Sequence, residues 1–131
     1  IDIKDAFIIN IGINYDVVLR PGTQAREVLL ACNEALQEYM KVEKRYINEP
    51  INLSDMYTLL DKVEGVQTVK NIVVKNLNQR NDSEDRLRRY SKYAYAITSA
   101  TRNNVIYPSY DPCIFEVKYP EVDILGRAVS L

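Results

Sequence analysis

A chain of 131 residues holds one ordinary domain and not two, and at that size a real core forms without disulfide or metal staples. Its 17 Lys and Arg residues balance 18 Asp and Glu residues to a formal charge of −1, which removes the electrostatic case for binding nucleic acid or an anionic membrane. Histidine and tryptophan are absent, so catalytic triads of the Ser-His-Asp or Cys-His kind are excluded, and with them the commonest general base and metal ligand.

Cys32 and Cys113 are too few for a disulfide scaffold, and a reducing compartment is the simpler reading. No apolar run is long enough to span a bilayer, and no signal peptide is present. The chain opens on Ile1 without an initiator Met, as a piece of a longer polypeptide would. Ten tyrosines stand against two phenylalanines. Tyrosine gives large, rigid contact area with a polar tip, which suits either a protein interface or a core edge with its hydroxyls in water.

Phe7 to Leu19 is the clearest strand: Phe7, Ile9, Ile11, Ile13, Tyr15, Val17 and Leu19 alternate without a miss. That pattern predicts one face on a core and one largely wet, with a bend or bulge near Gly12. Arg20-Pro21-Gly22-Thr23 reads as a turn with Thr23 as helix cap. From about Gln24 to Val42, a stripe of Val28, Leu29, Cys32, Ala35, Leu36, Tyr39 and Met40 predicts a helix, which ends in the solvated run Lys41 to Arg45. Cys32 lies in that stripe as a small buried hydrophobe rather than a reactive thiol. Pro50 blocks helix, leaving at most a short extended piece at Ile51 to Leu53.

Ser54 to Val74 then reads as a compact unit. Ser54 is placed to cap a short helix whose apolar face is Met56, Leu59, Leu60 and Val63. Gly65 supplies the left-handed stop, and Val66, Val69, Ile72, Val73 and Val74 form a β-branched strand. The order strand, long helix, short helix, strand makes the two strands antiparallel. It predicts an α+β two-layer sandwich: a mainly antiparallel sheet with two helices on one face and extended C-terminal segments. Residues 1–77 form the strand-helix-helix-strand core, 78–92 a polar loop, and 93–131 a C-terminal extended or strand segment of the same domain.

Asn78 to Asp85 contains no apolar residue, and Arg86, Arg88 and Arg89 follow as a locally neutralised loop edge beside Glu84 and Asp85. Tyr90 to Thr98 is ambiguous and leans to extended; Thr101 to Asn104 is a turn; Val105 to Tyr107 is short and apolar. Pro108 to Pro112 is a rigid turn, Ile114 to Tyr119 a strand between prolines, and Asp123 to Val129 extended.

None of this carries chemistry. Asp55, Asp61 and Glu64 interleave with Lys62 as a solvated face, and Asp111, Glu116, Glu121 and Asp123 match no calcium loop. With four glycines there is no phosphate loop. The expectation is a protein with no catalytic, cofactor-binding or metal-binding residues and no small-molecule substrate.

Two stretches resemble a known family. One runs from Pro50-Ile-Asn-Leu-Ser-Asp-Met-Tyr through Val63-Glu-Gly-Val-Gln-Thr-Val-Lys-Asn-Ile72; the other is Ile106-Tyr-Pro-Ser-Tyr-Asp-Pro-Cys-Ile-Phe-Glu-Val-Lys-Tyr-Pro-Glu-Val-Asp-Ile-Leu-Gly-Arg-Ala-Val129. They look like the C-terminal part of the large baseplate wedge subunit of T-even-type contractile-tailed phages, related to the baseplate J proteins. The first motif is shared broadly with baseplate J proteins, and the second is closer to the T-even-type subunit. With the preceding strand and helix, the resemblance covers nearly the whole chain, without the family's long helical N-terminal portion.

The resemblance implies a virion protein of the tail baseplate, assembled in the host cytoplasm. Such subunits pair with copies of themselves in a ring around the tail hub, join other wedge proteins, and relay the shape change that triggers sheath contraction. It carries over no catalytic residue, and the interface residues stay open. The alternative from the residues alone is a free-standing α+β ligand-binding or regulatory domain.

Overall fold

A computed structural model describes residues 7–41, 46–78 and 90–131. The elements in order are β1 (Phe7–Leu19), α1 (Ala25–Tyr39), β2 (Ile51–Asn52), α2 (Leu53–Asp61), β3 (Val66–Asn76), α3 (Ile97–Ala100), β4 (Thr101–Arg102), β5 (Val105–Ile106), β6 (Cys113–Glu116), α4 (Pro120–Asp123) and β7 (Ile124–Ala128).

The architecture is α+β with two sheets. β1 is central in the larger one. Its Ile11–Leu19 stretch pairs antiparallel with β3, as the order of elements requires. Along its other edge β1 pairs parallel, first with β6 over Phe7–Asn10 and then with β7 over Ile13–Val17. The main sheet is therefore mixed rather than mainly antiparallel. Its irregularities lie in β3 rather than at Gly12: opposite Asp16/Val17 and Val18/Leu19 the register skips Lys70 and Gln67. The smaller sheet has the order β2-β5-β4.

The odd-numbered residues Ile9, Ile11, Ile13, Tyr15 and Val17 form one core with Val28, Cys32, Leu36 and Met40 from the first helical region, Met56 and Leu60 from α2, and Ile72 and Val74 from β3. Burying each such aliphatic side chain contributes about 1.5–3 kcal/mol before the entropy of ordering it. The opposite face of β1 is drier than alternation predicts. Asn10 is buried, donating to Glu116 Oε1 at 3.1 Å and accepting from the Ser91 N–H at 2.6 Å, and Val18 is buried too.

Gly65 ends the α2 region in the left-handed conformation, at φ 96°, and a Cβ there would lie 2.6 Å from Val28 Cγ2. Both expected helix caps move. Asn52, not Ser54, caps α2: its side chain accepts from the Ser54 N–H at 3.0 Å, because β2 pairing with β5 sets the chain before that helix begins. Thr23 donates its hydroxyl to Arg20 O at 2.7 Å and so closes the turn; Gln24 is the N-cap position of α1, without a side-chain cap.

α1 ends at Tyr39, and Val42 to Arg45 lie outside the described residues, as do most of the polar loop and Arg86, Arg88 and Arg89. Tyr90 to Ala96 is irregular and Ile97–Ala100 is helical, against the extended reading. Thr101 to Ile106 is a tight hairpin, with Asn103 and Asn104 both at positive φ, 52° and 63°, as a two-residue turn of mirror-image type requires. β6 covers Cys113–Glu116 only, and a helical turn, Pro120–Asp123, precedes the final strand.

Candidate functional site

The titratable groups are dispersed. Asp55 and Asp61 are exposed on α2, and Glu64 is exposed beyond its end. Asp111 accepts from Asn48 Nδ2 at 2.7 Å, Glu116 from Asn10, and buried Asp123 from the Tyr90 hydroxyl at 2.8 and 2.9 Å. Among the described residues, no three His, Cys, Asp or Glu side chains gather where a metal ion could sit. Burial pushes the Cys32 thiol up to about 11, against a smaller opposing effect of Tyr15, and burial does the same to Cys113. Both thiols stay protonated at neutral pH, which suppresses nucleophilic attack. No helix of the described residues is long and apolar enough to cross a membrane.

What the fold presents outward is surface. Register places Leu125, Asn14 and Val73 side by side across β7, β1 and β3, and Arg127, Asp16 and Asn71 in the next row. These rows lie on the sheet face turned away from the core. Val73 is 47% and Leu125 55% exposed. Between them Asn14 Oδ1 is out of contact with water and accepts no hydrogen bond from the described residues. Arg127 binds Asp16 in a two-pronged pair, 3.0 Å from Nε to Oδ1 and 3.1 Å from Nη2 to Oδ2, and this pairing raises the guanidinium pKa. These residues line a hollow of about 400 Å³.

Several tyrosine hydroxyls take on a further task, which the composition did not raise. Tyr15 donates to Leu29 O at 3.1 Å and Asn33 Oδ1 at 2.5 Å, joining β1 to α1. Its ring occupies the space above Gly126, where any Cβ would collide with it. Tyr39 accepts from the Asn52 N–H, and Tyr57 from the Ile72 N–H. Tyr95 donates to Tyr107 O and Tyr110 to Ala94 O. Six hydroxyls, counting Tyr90, thus brace separate elements. Tyr46 and Tyr107 remain well exposed, at 77% and 46%.

A second hollow, of about 570 Å³, lies beside the hairpin. Tyr95, Tyr107, Tyr110 and Pro108 line it along with Arg102 and Asn103. Sequence reasoning singled out neither surface, because each depends on register or on a hairpin of two-residue strands. The one available signal was the pair of apolar residues, Val73 and Leu125, in strands that also carry polar neighbours.

No protein-family model matches the chain, and no curated protein matches its sequence.

Proposed function

We propose that this chain is a structural assembly domain, an α+β two-layer sandwich from the C-terminal part of a contractile-tail baseplate wedge subunit related to the baseplate J proteins. It acts by contact with copies of itself and with other wedge proteins in the ring around the tail hub, within the virion, and relays movement between them. It performs no catalysis and uses no cofactor.

The observation that carries the reading is the uncovered row Leu125–Asn14–Val73. Two large apolar side chains standing in solvent on either side of Asn14 are what an interface leaves behind when its partner is absent. The family assignment rests on the two resembling stretches. Its physical support is their placement: they meet at Ile51↔Ile106 in the small sheet and flank β1 as β3 and β7 in the large one.

The test is co-expression of the full-length parent with its neighbouring tail proteins. The wild type is expected in a wedge complex, and Val73→Asp with Leu125→Asp is expected to remain folded but unassembled. A parent that stays monomeric and outside any complex would end the proposal. The hollow beside the hairpin favours a second reading, a ligand-binding domain. A thermal-shift screen with amino acids and nucleotides separates the two, since a bound small molecule raises stability by mass action.

A further inference from the structure

We infer that the hollow between α3 and the β4–β5 hairpin is a separate docking site for an acidic, proline-bearing segment of a partner protein. This rests on the assembly reading but not on the sheet face. Three observations define the occupant.

The first is charge. Arg102 is exposed, and its guanidinium has no ion-pair or hydrogen-bond partner among the described residues. Among the described residues, no Asp or Glu lines the hollow. A carboxylate is the complement that a planar guanidinium binds in two-pronged fashion.

The second is the state of the rings. The Tyr95 and Tyr110 hydroxyls are already committed to Tyr107 O and Ala94 O, so they tie one wall of the hollow to the other. The Tyr95 and Tyr110 rings are 6.0 Å apart. With Pro108 and the half-exposed Tyr107, the site offers pre-set aromatic surface, and Ser99 and Ser109 line it beside the rings. Apolar rings are the fitting contact, and fixed walls lower the ordering cost of binding.

The third is the shortness of the edge. β4 lies at the margin of its sheet and is two residues long, too short to template an added strand. A partner held here gains little from ladder hydrogen bonds. A polyproline II segment needs none, because its backbone stays solvated, and aromatic-lined grooves recognise that form.

The experiment is fluorescence anisotropy on the 131-residue chain with a labelled peptide of repeating Pro-Pro-Glu units. Control peptides carry Lys for Glu, or Ala for Pro. Saturable binding of the Pro/Glu peptide is expected, with about tenfold weaker binding of each control. Arg102→Glu should abolish that binding and create binding to the Pro/Lys peptide. Tyr107→Ala should weaken it; Tyr107 braces the fold through its backbone, the N–H donating to Ala100 O and the carbonyl accepting from Tyr95, so this variant keeps its structure.

Val73→Asp should leave peptide binding unchanged, which keeps a failure here distinct from a failure at the sheet face. Equal binding of the Lys peptide, binding that survives Arg102→Glu, or no saturation by about 1 mM would overturn the assignment. Stabilisation by AMP or glucuronate through Arg102, with no peptide binding, would overturn it in favour of a small anion.

Discussion

The main sheet with its two long helices and the segment from Ala94 to Tyr110 are built by different means. In the first, Ile9, Ile11, Ile13, Tyr15 and Val17 are all buried against helix stripes of matching period. In the second, Ile106 is the one buried residue among seventeen positions, and order comes from tyrosine hydroxyls, a two-residue turn and the Ile51↔Ile106 pairing. Apolar burial is cooperative and sums over many contacts; hydrogen bonds net about 1 kcal/mol each. The first region should therefore unfold only globally, and the second should open locally at lower cost.

The largest way to break the first region is at Gly126. The Tyr15 ring fills the space where its side chain would be, so Gly126→Val displaces a ring that also anchors α1. The expected loss is about 3 kcal/mol, since overpacking is relieved only by moving a buried aromatic. Urea melts would read it, and an unchanged midpoint would mean that Tyr15 does not occupy that space.

Gly65→Val comes next, at about 2 kcal/mol, from a β-branched residue at positive φ and from Val28 lying 2.6 Å from the new Cβ. Gly65→Asn separates the causes: asparagine tolerates positive φ better, so whatever destabilisation remains belongs to the clash. A thermal melt in which neither variant shifts would show that the stop is not left-handed.

The same two regions differ in how far the sequence reveals them. The strand from Phe7 to Leu19, the glycine stop at Gly65 and the antiparallel pairing of β1 with β3 follow from local period and turn chemistry. The parallel placement of β6 and β7 does not, because strands of four and five residues carry too little alternation to announce a neighbour 106 or more positions away. Ser54 and Asn52 are both capping residue types, two positions apart, and only the β2–β5 pairing decides for Asn52. Of the open face, Val73 and Leu125 were visible as residues but not as neighbours, since the register that sets Asn14 between them is a long-range property. Tyrosine hydroxyl partners lie 12 to 33 positions away and leave no local mark.

Tyr95→Phe sharpens the contrast. It removes the hydroxyl tie to Tyr107 O but keeps the ring against Phe115, 5.6 Å between centroids. Amide exchange within 94–107 should speed up by about tenfold, the equivalent of one neutral hydrogen bond, while exchange in β1 and the global melting temperature hold. Equal acceleration in both regions would mean that they open as one unit.

The smallest effect is expected at Arg127. The guanidinium meets Asp16 with good two-pronged geometry, but its side chain is 73% exposed, and a pair so open to solvent is largely screened. Arg127→Ala in the isolated chain should leave urea and thermal midpoints within experimental error. The pair sits in the row beside Leu125–Asn14–Val73, so covering that face would desolvate it. Removing Arg127 would then leave a buried, unpaired Asp16. The proposed assembly should therefore weaken under a substitution that the monomer does not register, and Asp16→Asn with Arg127→Ala should restore part of the loss. A variant silent in both states would place the Asp16–Arg127 row outside any interface, and the contact would then have to be sought at Leu125 and Val73 alone.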